Sequence, residues 1–188
     1  MRKFFFMIVM TIALVGFAGV FINLDSFFGL GSAGKLLLDG EEKQIDMVSN
    51  YGLQLSIDYG LHDGLRLGVT ASSQNVSLTF ESESLNFDLL CLGVEGLFAM
   101  DFLELVLQIS TEVHFVLTSF VYGGGKMNQS DFNGHIFSGK AIFEKYLSEN
   151  FSVAVGGGMK YLSIENVNDS KSFRGCIPCI ILRMGYSF

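Results

Sequence analysis

One pattern governs this sequence from about residue 26 to its end. Bulky apolar residues alternate with small or polar ones, break at a turn-like stretch, and resume. A period of two belongs to extended strands with two unlike faces. Tyr51, Leu53, Leu55, Ile57 and Tyr59 share one face, with Gly52, Gln54, Ser56 and Asp58 on the other. Leu65, Leu67, Val69 and Ala71 likewise oppose Arg66, Gly68, Thr70 and Ser72. The alternation recurs over 90–98, 105–115, 137–144, 151–161 and 180–188, and a less regular first strand at about 27–37 completes eight.

The connections alternate in length. "GLHDG" at 60–64, "AMD" at 99–101 and "LSEN" at 147–150 are short, whereas 38–49, 75–86, 121–133 and 163–174 are longer and polar. Short turns on one rim and long loops on the other belong to a membrane-spanning barrel. Side-chain volume decides which face is inside. An eight-stranded interior is only just wide enough for side chains to fill. The apolar face is bulky and the opposite face is rich in Gly, Ser and Thr, so the small face fits the lumen and the bulky face suits lipid. A soluble lipocalin-like barrel would have the reverse arrangement. Tyr51, Tyr59, Phe98, Phe151, Tyr161, Tyr186 and Phe188 fall near strand ends, where interfacial aromatic girdles belong. In lipid the backbone requires closure. The expected fold is an all-β, eight-stranded, antiparallel up-and-down transmembrane β-barrel spanning 26–188.

Met1-Arg2-Lys3 followed by "FFFMIVMTIALVGFAGVFI" has the basic and apolar regions of a secretory signal peptide. Small residues at Gly16 and Ala18 place it at 1–18, with cleavage as late as about residue 22 as the other possibility. The chain is then exported. Its net charge of −7 offers no basic footprint, so nucleic acid is not an expected partner.

Signal peptide, eight amphipathic strands and the terminal "MGYSF" resemble the small outer-membrane barrels of the OmpA, OmpX and OmpW type. That resemblance implies an integral outer-membrane location, contact with outer-membrane lipid, and assembly by the barrel-assembly machinery. It also implies that Tyr186 and Phe188 form the C-terminal signal that this machinery recognises. A structural or surface-interacting, adhesion-type role follows, with the four long loops as the place for an extracellular ligand. An OmpW-like channel for small hydrophobic solutes is the alternative.

The polar face carries the candidate site residues. Asp58, Glu95, Glu104, Glu112 and Glu144 oppose in charge Arg66, Lys140, Lys160, Arg183 and, on the phasing assumed for the first strand, Lys35. His114 shares that face. Buried charges must pair to offset desolvation, so an interlocked network filling the lumen is expected. A hairpin centred near His62 would set Asp58 opposite Arg66.

Three motifs carry less. Cys176, Pro178 and Cys179 spell a redox-like Cys-x-Pro-Cys, but too little chain follows for a redox fold, and in a strand the two thiols face opposite ways. "GLGSAG" at 29–34 lacks the helix a dinucleotide site needs, and reads instead as small residues packing tightly in the first strand. Some eight-stranded barrels are lipid-modifying enzymes, yet the three histidines suggest no triad: Ser138 follows His135 by three residues, on the other face. No enzyme activity, cofactor or metal is expected.

Overall fold

The computed structural model describes residues 19–31, 33–38, 41–62, 64–80, 83–122, 132–166 and 172–188. The signal peptide expected over 1–18 lies outside them. Ten strands follow in order: β1 (Val20–Gly31), β2 (Ala33–Leu38), β3 (Glu41–Gln44), β4 (Met47–His62), β5 (Leu65–Phe80), β6 (Glu83–Phe102), β7 (Leu105–Tyr122), β8 (Phe132–Tyr146), β9 (Phe151–Asn166) and β10 (Ser172–Ser187). All pairings are antiparallel; β4 to β10 each pair with the next in the chain, β1 pairs with β4, β2 with β3 and β10, and β1 pairs with β10 to close the sheet. β2 extends the line of β1 along β10, and β3 extends that of β4, so the ten segments make an eight-stranded up-and-down barrel.

The seam is irregular. Gly29 pairs with Cys179 but Ala33 with Cys176, so four residues on one side span three on the other. Pro178 sits in that interval and lacks the N–H that a ladder needs. A Cβ on Gly29 would lie 2.7 Å from the Pro178 carbonyl, so the small residues of "GLGSAG" let the two chains close together there.

Several expected boundaries are corrected. β1 begins at Val20, so Val20–Ile22 already pair with β4, and Phe21 and Ile22 with β10. The turn expected at 99–101 lies further on: β6 runs to Phe102, and the chain reverses at Leu103 and Glu104, with Leu103 in the left-handed region at φ 58°. The long connections contract as well. Most of 38–49 and 75–86 is strand, while 39–40, 81–82, 123–131 and 167–171 lie outside the described residues.

Those extra strand residues went unrecognised because the polarity of the two faces inverts along the barrel. In the lower part of β5, Leu65, Leu67 and Val69 face outward and Arg66, Thr70 and Ser72 inward. Further up the same strand Ser73, Asn75, Ser77 and Thr79 face outward, while Val76 and Leu78 are fully buried. β6 mirrors this, with Leu90, Leu92 and Val94 outward below Ser84, Asn86 and Asp88, and with Leu85, Phe87 and Leu89 inside. A 16-residue strand such as β4, tilted as barrel strands are, rises roughly 40 Å, against an apolar band about 25 Å tall. The upper part of the barrel therefore stands in water and is built like a soluble barrel, apolar inside and polar outside. Both readings of the alternation hold, each at its own height.

Candidate functional site

The interior divides into three levels. At the short-turn end the Arg66 guanidinium stacks over the Phe21 ring at 3.5 Å and floors the lumen. Above it lies the ionic network. Arg183 grips Asp25 with two hydrogen bonds, Nε to Oδ1 at 2.6 Å and Nη2 to Oδ2 at 2.8 Å, and donates to Gln108 Oε1 at 2.9 Å. Lys140 Nζ reaches Asp25 Oδ2 at 2.8 Å, Glu95 at 3.6 Å, and Glu112. Gln54 donates to Glu112 at 2.6 Å, while Gln108 and Ser152 both donate to Glu144. The forked guanidinium on a carboxylate is the strong form of such a contact, and burial raises the cost of breaking it.

At the upper edge of the network Lys160 Nζ sits 3.0 Å from the Phe27 ring centroid and donates to Gln74 at 3.5 Å. His114 Nε2 is 2.7 Å from Thr70 Oγ1. Above this level the lumen is mainly apolar, with Asn50 and Ser119 among its few buried polar residues. Val48, Val76, Leu78, Phe87, Ile136 and Leu162 belong to a buried cluster that fills the barrel from wall to wall, with the Phe87 and Phe132 rings edge to face at 5.3 Å.

Of the residues expected in the lumen, Asp58, Arg66, Glu95, Glu112, His114, Lys140, Glu144, Lys160 and Arg183 are buried inside the barrel. Lys35 is not. Its neighbours Gly34 and Leu36 face inward, so Lys35 is on the outer wall, paired with Glu42 at 2.6 Å. Glu104 is not either, because it belongs to the β6–β7 turn and is exposed. Asp58 and Arg66 are not cross-strand partners: Asp58 faces Gly68 and Arg66 faces Gly60, since the hairpin is centred further along the chain and carries a register shift near His62. Asp58 instead accepts from Asn23 at 2.6 Å and Ser56 at 3.2 Å.

Asp25 and Asn23 are the members not foreseen from the sequence, whereas Gln54 and Gln108 occupy the polar face expected to line the lumen. Asp25 is the most consequential, since both Arg183 and Lys140 converge on it. Its signal was present: Asn23 and Asp25 alternate with Ile22 and Leu24 directly after the apolar leader. With Asp25 added and Lys35 and Glu104 removed, five buried carboxylates face four buried cations, so Lys140 and Arg183 each serve more than one acid.

The outer wall completes the geometry. Leu55, Val69, Leu92, Val94, Ile180 and Leu182 are among many large apolar side chains left exposed on it. Such a belt around a closed barrel belongs in lipid. Tyr186 and Phe188 end the chain on this wall with rings 4.9 Å apart, and the Phe188 N–H donates to the Val20 carbonyl at 2.9 Å.

No protein-family model and no curated protein matches the sequence. Solved structures do match in fold. The outer membrane protein OprG from Pseudomonas aeruginosa superposes with a TM-score of 0.54 at 15% identity, over 91% of this chain and 96% of that one. Neisserial surface protein A gives 0.53 at 10% identity, over 89% and 95%. The fold is that of the small outer-membrane β-barrels. Among the described residues, the lumen of this integral barrel holds the Arg66–Phe21 stack, the ionic network and the apolar cluster, one above the other.

Proposed function

We propose that this outer-membrane barrel is a closed scaffold that holds a projecting β-structured rim at the cell surface for contact with an extracellular partner. The observation that carries this reading is the filled lumen. A solute would have to part the buried apolar cluster above and then break the Asp25–Arg183–Lys140 network below. The Thr70–His114 pair joins a hydroxyl to an imidazole, but it lies beneath the apolar cluster, so no surface-bound substrate meets it. What remains accessible is the rim. There, tall strands carry charged residues outward: Lys35 with Glu42, and Arg174 with Glu165 at 2.7 Å. The hydrogen bond from Arg174 to the Glu165 carboxylate holds its guanidinium above its ordinary pKa.

A second reading, a passage for small hydrophobic solutes, is favoured by the apolar lining of the upper lumen and the irregular seam beside Pro178. Two measurements separate the readings. Purified protein in planar bilayers is expected to show no conductance steps, and cells expressing it no added uptake of hydrophobic solutes. Cells displaying it are expected to bind a surface partner that is lost when 39–40, 81–82, 123–131 and 167–171 are replaced by short glycine-serine turns. Uptake without loop-dependent binding would overturn the scaffold reading.

A further inference from the structure

One feature of the outer wall is unlike the rest of the belt. Phe28, Tyr51, Asn75, Asp88 and Phe120 are direct cross-strand partners in sequence, one on each of β1, β4, β5, β6 and β7. All five point outward, so they form a single row across the barrel. In its middle, Asn75 Nδ2 donates to Asp88 Oδ1 at 2.6 Å, making an amide–carboxylate floor. Tyr51 and Phe120 stand on either side, both about half exposed. Their strands are three inter-strand spacings apart, about 14 Å. Together with Ser73 these residues line a groove in the wall.

The groove lies at the height where the outer face changes from apolar to polar. Directly below it Leu53 and Leu90 continue the lipid-facing belt, and directly above it Ser77 and Asn86 face water. Whatever fills it is therefore amphiphilic, with its apolar part continuous with the bilayer and its polar part on the floor. Charge narrows the choice. Among the described residues no Lys or Arg lines the groove, and Asp88 places a carboxylate at its centre. A phosphate headgroup would meet like charge there. An uncharged, hydroxyl-rich headgroup instead finds an amide and a carboxylate to bond and aromatic faces to stack against, the few oriented polar groups within an apolar surround that a specific small-molecule site uses.

We propose that this groove is a binding site for a glycolipid of the surrounding leaflet, with the saccharide headgroup on Asn75 and Asp88 between the rings of Tyr51 and Phe120. The site stands apart from the scaffold role and from the loops, so it can fail while that reading holds.

The test uses the folded full-length barrel, purified in a detergent with no sugar headgroup. It is incubated with monogalactosyl diacylglycerol or with phosphatidylglycerol, and retained lipid is read by native mass spectrometry. One galactolipid per barrel is expected to remain, with phosphatidylglycerol washed away. Tyr51→Ala and Asp88→Ala are each expected to lower galactolipid retention about tenfold, the size of effect a central contact produces. Met159→Ala on the opposite wall is expected to change nothing. Heat-modifiable mobility confirms folding, and because Asp88 is at the surface, Asp88→Lys serves if Tyr51→Ala does not fold: it is expected to exchange the preference, retaining phosphatidylglycerol. Equal retention of both lipids by the unaltered protein, or retention that Tyr51 and Asp88 substitutions leave unchanged, overturns the proposal.

Discussion

Arg183 is the residue on which the interior turns. It is fully buried, holds Asp25 with two bonds and reaches Gln108 and Glu95 from the same guanidinium. Arg183→Ala leaves Asp25 with Lys140 alone and strands part of the acid cluster, at a cost on the order of 3–5 kcal/mol. In urea unfolding of the barrel in lipid or detergent, the Asp25→Leu/Arg183→Met pair is expected to lose less than Arg183→Ala alone. Additive losses would show that the two side chains are not coupled. Gly68 makes a second prediction. It faces Asp58 across β4–β5, and a Cβ there would collide with Asp58 Oδ1 and push away the carboxylate, whose Oδ2 accepts from Asn23 and Ser56. Gly68→Ala is expected to destabilise by about 1–3 kcal/mol in the same assay, as overpacking does. Gly139, whose Cβ would meet nothing within 4 Å, is the control, and Gly139→Ala is expected to be near neutral.

At the scale of a strand, the inversion of polarity makes the cost of a charge depend on height. Ile109 and Ser77 both face outward, one in the apolar belt and one on the rim. Arg at Ile109 is expected to cost about 2–4 kcal/mol, as charges on a lipid face do near the midplane. Arg at Ser77 is expected to stay within about 0.5 kcal/mol, as at an ordinary wet surface. The inward face reverses the ranking. Leu78→Ala empties space in the buried upper cluster and is expected to cost about 2–5 kcal/mol, even though it lies above the membrane. Equilibrium unfolding measures all three. A Ser77→Arg loss as large as that of Ile109→Arg would place the lipid boundary higher on β5.

For the molecule as a whole, the C-terminus lies at the seam that closes the ring. Phe188 is largely exposed at 71% and packs against Tyr186, yet its N–H joins it to Val20 on the first strand, so the last residue helps close the ring. Deleting Phe188 is expected to leave export intact and to lower outer-membrane insertion severalfold, with protein accumulating in the periplasm, measured by fractionation and heat-modifiable mobility. Unchanged insertion would remove Phe188 from the assembly signal.

The alternation of side chains alone determined that the chain is a β-barrel, how many strands it has and which face meets lipid, because a period of two is a local property written into each strand. Most of the buried charges were legible for the same reason. Lys140, Glu112 and Arg183 each occupy an inward position that parity dictates. What the tertiary structure decided are the quantities that parity leaves open. Whether Asp58 meets Arg66 depends on a hairpin register, and a two-residue change of register keeps every side chain on its face while exchanging its partners. Whether residues 75–86 are loop or strand depends on where water begins, since outside the bilayer the same alternation means the opposite. And the convergence of Asp25, Lys140 and Arg183, separated by as many as 158 residues in the chain, exists only because the barrel closes β1 against β10 and brings β8 across a narrow lumen to face both.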